Sequence, residues 1–262
     1  MALAAFDSRV KRVCDTYAAA ASVAPTALTA LTASTTSTVH GPAAGHYTLS
    51  TDEMTGIQAL ERIAPTLPTA PGFVERREFE YERHGTQSLI ANFDVTTGRI
   101  VSPSIGDTRT EQDFADHIQC TVDTVDTVDT VDTDPAAIFI FVTDQLNTHQ
   151  SVTLVRFVAE RCDIHHDLGV KGASGILKSM PSRAAFLEDL SHRIRFVYTP
   201  KHSSWLNQVE IWFSILVRRV LKRTSFSSKD DLRQRLLDFI IYFNATMAKP
   251  FRWTYTGRPL VA

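Results

Sequence analysis

Cysteine is scarce in this chain. Cys14, Cys120 and Cys162 are the three present among 262 residues, far apart and without a CxxC pair. That spacing indicates neither a disulfide framework nor a zinc site, and the three are expected to be reduced thiols. Long apolar runs are also missing, since no stretch approaches the roughly 20 residues of a membrane span. Charge falls at Asp7, Arg9 and Lys11, where a secretion signal needs its apolar core. The expectation is an intracellular, cytoplasmic protein with no membrane partner. A hydrophobic content of 44% over 262 residues supplies one sizeable core, as one large domain or a domain plus an extension.

Acidic residues are nearly absent from one stretch. Glu210 is the single carboxylate between Asp189 and Asp230, amid Arg193, Arg195, Lys201, Arg218, Arg219, Lys222 and Arg223. Residues 191–262 carry 13 Lys/Arg against 4 Asp/Glu, net +9, whereas residues 1–190 carry 14 against 25, net −11. Two readings fit. The basic third is a surface where counterion release drives nucleic-acid binding, or two oppositely charged halves neutralise one another. Glu210 likewise is either a metal ligand facing a polyanion or a helix-surface glutamate paired with Arg218 or Lys201.

The patterning around Glu210 organises the rest. Ile194, Phe196 and Tyr198 alternate with Arg193, Arg195 and Val197, the period of a strand, which Pro200 ends. Ser203 or Ser204 then caps a helix whose stripe is Trp205, Val209, Trp212, Phe213, Leu216 and Val220, with Glu210 off the stripe.

Upstream, residues 5–20 read as a short amphipathic helix with Phe6, Val10, Val13 and Tyr17 on one side. Residues 18–45 are a loose Ala/Thr/Ser connector, and the folded domain is expected from residue 46. HYTLSTDE is a strand delivering Asp52 at its end, with Glu53 on the opposite face. A turn at His84-Gly85, a strand to Asp94, a turn at Thr97-Gly98 and RIVSPSI complete an antiparallel meander. The acidic Asp107 and a helix, TEQDFADHIQC, follow. Residues 121–132 are four copies of Thr-Val-Asp, a period matching neither helix nor strand, read as a solvated loop; it lacks the glycine turn of a calcium-binding loop.

Ala137 to Val142 form a buried central strand with Asp144 just past its C-terminal end, where open α/β sheets place their chemistry. A helix runs from about Ser151 to Arg161. His149, in the loop with Asn147, is read as a loop or cap hydrogen-bonder rather than a ligand. Residues 163–192 form a Gly-rich insertion with a flexible loop at Gly169, Gly172 and Gly175, then the helix SRAAFLEDL. His165 and His166 point apart, so a metal cluster with Asp167 is set aside. Ser227 or Ser228 caps a last helix with Leu232, Leu236, Phe239, Ile240 and Phe243 inward. In the basic-aromatic tail, Phe251, Trp253 and Tyr255 are expected to pack against that helix rather than stack on bases.

Asp52, Asp144 and Glu210 can thus converge at one sheet edge as hard oxygen ligands. Such a set suits magnesium, and two ions about 4 Å apart would serve in-line phosphoryl transfer.

STDEMTGIQALER, YERHGT, FVTDQLNTH, TPKHSSWLNQVEIWFSI and YFNATMAKPFRWT resemble, in this order, the catalytic domain of bacterial insertion-sequence transposases of the mariner superfamily. The likeness spans about residues 45–258. It implies an α/β, ribonuclease-H-like fold, a mixed central sheet flanked by helices. It further implies a triad of Asp52, Asp144 and Glu210 and two Mg2+ or Mn2+ ions. The activity implied is cleavage at transposon ends, then attack of the freed 3′-hydroxyl on target DNA, typically at TA. Both DNAs would be partners, and a second copy of the chain a further one. Lys201, His202, Asn207, Arg218, Arg219, Lys222 and Arg223 are the residues expected to meet DNA, with Asn207 one turn before Glu210. Gln145 stands where an Asn often follows the second aspartate, and 66 positions separate Asp144 from Glu210.

Relatives carry an N-terminal helix-turn-helix, which 45 residues do not accommodate; a remnant or one half of a split gene is expected. Three readings of function remain: a DNA transposase and endonuclease, a catalytically unproductive DNA- or partner-binding remnant, and a ribonuclease-H-like nuclease of other specificity.

Overall fold

The structure, a computed structural model, describes residues 2–23, 45–127, 137–250 and 253–257. Its centre is a five-stranded sheet in the order β3-β2-β1-β4-β5. Strands β1 (His46–Arg62), β2 (Tyr81–Asp94) and β3 (Ile100–Gly106) form the expected antiparallel meander. Strands β4 (Ile138–Thr143) and β5 (Ile194–Tyr198) extend it in parallel on the far side of β1. This mixed order, with helices on both faces, is the ribonuclease-H-like arrangement. In the meander β2 and β3 are joined by a short turn, and β1 and β2 by residues 63–80, which pair with themselves at Leu67–Arg76 and Ala70–Phe73; the parallel strands require helical crossovers.

Those crossovers cover one face. Helix α2 (Glu111–Thr127) opens at Thr110, whose hydroxyl accepts from the Asp113 N–H while the Asp113 carboxylate accepts from the Thr110 N–H. Ser151 caps α3 (Val152–Arg161), and Ser179 forms a capping box on α4 (Met180–Leu187). Phe114, Ile118 and Val122 of α2 and the apolar stripe of α3 bury Leu49, Ile90, Phe139, Phe141, Ile194 and Phe196 of the sheet. On the other face, α5 (Val209–Leu216) and α6 (Lys229–Thr246) cover Ile57, Leu89, Ala91 and Phe93. Among the described residues, no helix is long and apolar enough to cross a membrane.

Several expectations require correction. The N-terminal helix α1 (Ala2–Val23) was set before the domain, yet Val10, Val13, Cys14 and Tyr17 pack with Val95, Val142, Val197 and Leu206. Its apolar stripe has no other surface to cover, whereas Phe6 lies exposed. Strand β1 continues ten residues past Asp52, which therefore sits in mid-strand rather than at an end. His84-Gly85 is no turn. Between the pairs Gln58–Thr86 and Leu60–Arg83, two residues, His84 and Gly85, oppose Ala59 alone. That makes a bulge, and Gly85 takes the positive φ, 110°, it requires.

The first copies of Thr-Val-Asp are helical, because α2 is already running when it reaches them. Thr121 and Val122 are buried, and the Thr121 and Thr124 hydroxyls bond back to the His117 and Cys120 carbonyls. The later copies lie outside the described residues. In the Gly-rich loop Gly169 and Gly175 permit close backbone approach: a Cβ on Gly169 would meet the Ser174 carbonyl oxygen at 2.2 Å, and one on Gly175 the Leu168 carbonyl oxygen at 2.6 Å. No serine caps α5. A single 3-10 turn, Ser204–Leu206, precedes it, leaving Trp205 exposed. The tail packs against α1 and Trp205 rather than the last helix: Trp253 lies 4.9 Å from Tyr17 and Tyr255 lies 5.4 Å from Trp205, ring to ring. Phe251 is outside the described residues.

Within α2, His117 is fully buried, and its Nδ1 lies 2.8 Å from the Ser104 hydroxyl. Burial holds its pKa down to about 3, against 6.5 when exposed, so the folded chain keeps it neutral where the unfolded chain protonates it. The stabilisation is complete above pH 6.5 and is lost as pH falls toward 3. Urea unfolding across that range should show a slope of up to about 1.4 kcal/mol per pH unit from this residue, and His117→Gln should flatten it.

Candidate active site

Strand alternation divides the acidic pair on β1. Ser50 and Asp52 face α1 and α5, and Thr51 and Glu53 face α2 and α3. Ser50 pairs with Val142 on β4. Asp52 and Asp144, each two residues further, are thereby brought to the same level of two adjacent parallel strands.

Glu53 enters the helical layer and meets His149. The imidazole is fully buried, 4.1 Å from the Phe114 ring. Its Nε2 lies 2.9 Å from Glu53 Oε2 and its Nδ1 lies 2.8 Å from Asp144 Oδ1. Burial opposes a charge on the ring, but the hydrogen bonds and charges of the two carboxylates outweigh it and push its pKa up to about 10. The ring is therefore an imidazolium donating through both nitrogens. Burial also acts to raise Asp144, yet the hydrogen bond and charge of His149, with the Leu146 N–H, hold it below the usual carboxylate range.

Asp52 lies on the other face, without an ion pair of its own among the described residues. Its Oδ1 accepts from the Glu53 N–H at 2.8 Å and its Oδ2 from the Asn207 amide at 3.0 Å. Burial, with the Asp144 charge adding to it, pushes its pKa up to about 7 despite the Glu53 N–H and His149. Glu210, in the first turn of α5, is exposed and forms no ion pair with Arg218 or Lys201. Partial desolvation and then the Asp144 charge raise its pKa as well. One carboxylate, Asp144, therefore acts on both others.

Two hard-oxygen donors, Asp52 and Glu210, thus feel the charge of a third, Asp144, and burial with that like charge pushes the Asp52 pKa up to about 7. Such a set fits a divalent cation, which would remove both penalties. A second grouping of three ligand side chains lies elsewhere. Glu61, Glu82 and His84 lie within 4.8 Å of one another, about 30 Å along β1 from Asp52 at strand rise.

The structure also sorts the residues expected to meet DNA. Lys201 and His202 are exposed in the turn after β5. Arg218, Arg219, Lys222 and Arg223 are exposed on a π turn, Val217–Leu221, and just beyond it. Arg218, Arg219 and Arg223 share a concavity with Ile215 and Met247. Asn207 does not belong with them. It does stand one turn before Glu210, its carbonyl accepting the Glu210 N–H at 3.2 Å, but its side chain is buried and its amide is bonded to Ser50, Thr51 and Asp52.

The sequence profile of the DDE superfamily endonucleases matches residues 48–233. The chain belongs to that family. No curated protein matches the sequence. Two solved structures are similar to this DDE endonuclease chain. The Mos1 mariner paired end complex with Mn is 12% identical with a TM-score of 0.49, and covers 94% of this chain and 57% of its own. The mariner Mos1 paired end complex with Mg is 12% identical with a TM-score of 0.31, over 94% and 64%. The chain spans about three fifths of the length of these proteins.

Sequence reasoning missed the role of His149 and Ser50. His149 was recognised as a hydrogen-bonder, but nothing local reveals that Glu53, 96 positions away, is its second partner. Removing the imidazolium strands a buried carboxylate, so His149→Ala should destabilise the metal-free DDE chain by about 3–5 kcal/mol in urea unfolding. The sign with pH is opposite to that of His117. The stabilisation is complete below pH 6.5 and is lost as pH rises through about 10, a decline that the variant should lack.

Proposed function

We propose that this chain is the catalytic domain of a DNA transposase, in which Asp52, Asp144 and Glu210 form the metal-binding triad. The observation that carries the reading is the action of the Asp144 charge on both Asp52 and Glu210 at one end of the sheet. Family membership supports the same chemistry, endonucleolytic cleavage of nucleic acid. The three carboxylates would hold Mg2+ or Mn2+, as two ions. When bound, the cations supply a Lewis acid for the phosphodiester and lower the pKa of the attacking oxygen.

The chain's own residues supply the rest. Asn207 fixes the Asp52 carboxylate and His149 fixes that of Asp144, so two ligands are set before any substrate arrives. Lys201 and His202 are exposed in the turn after β5, and Arg218, Arg219, Lys222 and Arg223 lie about 12 Å or more along the helix from Glu210. They would hold the phosphates of transposon-end and target DNA. Water attacks phosphorus and the P–O3′ bond breaks, leaving a 3′-hydroxyl and a 5′-phosphate. In strand transfer that hydroxyl attacks a target phosphorus, again with departure of the 3′-oxygen. Residues 46–262 would carry this chemistry, with α1 packed against them and a second copy pairing the two ends.

The test is cleavage of labelled duplex DNA carrying the terminal repeats that flank the gene, with Mg2+ or Mn2+, against the Glu210→Ala variant. A ligand contributing several kcal/mol of transition-state stabilisation predicts a fall in nicking of at least about a hundredfold, with DNA binding retained. Equal nicking by both chains overturns the triad. No nicking by either, with binding intact, favours a DNA-binding remnant.

A further inference from the structure

A buried polar relay connects α1 to the active site. Tyr17 is wholly buried, and its hydroxyl donates to Ser50 Oγ at 3.4 Å while accepting from the Gln208 N–H at 3.4 Å. Ser50 Oγ also accepts from the Val209 N–H at 2.9 Å. A hydroxyl has two acceptor positions and one proton. With both acceptor positions taken, the Ser50 proton goes to its remaining partner, Asn207 Oδ1.

This decides which way the Asn207 amide faces. With Oδ1 held by Ser50, the NH2 group points at the Thr51 carbonyl, 2.9 Å away, and at Asp52 Oδ2, 3.0 Å away. The flipped amide would set its oxygen against a carbonyl and a carboxylate and its NH2 against a hydroxyl whose acceptor positions are filled. Ser50, Asn207 and Tyr17 have no solvent to offer a substitute partner.

We propose that Tyr17 is a positioning residue for the triad: through Ser50 it fixes the Asn207 amide, which in turn holds the Asp52 carboxylate in the orientation that receives the cation. The proposal rests on the assignment of Asp52 as a metal ligand. It gives α1 a role beyond packing. Tyr17, Ser50 and Asn207 come from α1, β1 and the linker into α5, so the relay also sets the N-terminus of α5, and with it Glu210, against β1.

The experiment measures Mn2+ affinity of the full chain by isothermal titration calorimetry for wild type, Tyr17→Phe, Asn207→Ala, the double variant and Asp52→Asn. Hydrogen exchange at residues 208 and 209 reports the relay itself. Loss of one buried hydrogen bond predicts that Tyr17→Phe weakens Mn2+ binding about 3- to 10-fold and speeds exchange at Gln208 and Val209. Asn207→Ala should weaken binding at least as much, and the double variant should be no weaker than Asn207→Ala alone. A purely structural role predicts additive losses. Unchanged Mn2+ affinity in Tyr17→Phe, or additivity with Asn207→Ala, overturns the relay while the triad stands, provided Asp52→Asn has lost binding. An Asp52→Asn chain that binds Mn2+ as tightly as wild type overturns the triad and the role of Tyr17 with it.

Discussion

Successive side chains of an extended strand must leave on opposite faces, and at Ser50 to Glu53 this constraint shapes the site. Asp52 and Glu53 cannot serve one cavity, so each layer of the domain supplies a counterpart for its own carboxylate. Glu53 receives a buried imidazolium from the loop before α3, and Asp52 receives a neutral amide from the linker before α5. Two aspartates at one end of a sheet thereby acquire different electrostatics. Asp144 is hydrogen-bonded to the His149 imidazolium and its pKa is held down, whereas Asp52 meets that charge only at a distance and burial pushes its pKa up to about 7. Environment pulls apart two groups that are chemically identical, the usual route by which a folded chain distinguishes the roles of like residues.

Much of the fold was legible because burial writes directly into pattern. The apolar run of β4, the Ser151 cap and stripe of α3, and the Ser228 cap of α6 follow from local rules and stand where those rules put them. Local rules failed where a neighbouring element overrode them. Gly85 has the composition of a turn, but continuous pairing with β1 absorbs it as a bulge. The Thr-Val-Asp copies lack a helical period, yet a helix already nucleated at Thr110 extends through Thr127, because adding a residue to a helix is far easier than starting one.

The site was legible to a different depth. Asp144 could be named from a strand end, Glu210 from its isolated charge, and all three acids from a family resemblance, although Asp52 lies in mid-strand. Their supporting residues could not. Ser50 looks like any strand serine and Tyr17 like any helix aromatic. Their significance exists only across separations of 33 and 157 positions, which no local pattern encodes. Asn207 was placed on the DNA-facing side for the same reason, since its burial depends on β1 and α1 together.

Those long separations also bear on how the site is maintained. A carboxyl buried beside another carboxylate destabilises the fold that contains it, and the energy must come from elsewhere in the domain. The apolar clusters on either side of β1 are the available source. One holds α2 and α3 under Glu53, and the others clamp α5, α6 and α1 over Asp52. A chain beginning at residue 46 would keep all three acids of the proposed triad and lose the helix that packs on Val142 of β4 and Val197 of β5 and whose Tyr17 hydroxyl meets Ser50. The boundary drawn from composition is therefore a poor guide to the functional unit. The acids are the groups proposed to do the chemistry, but the unit that presents them includes every element whose packing offsets the penalty of bringing them together.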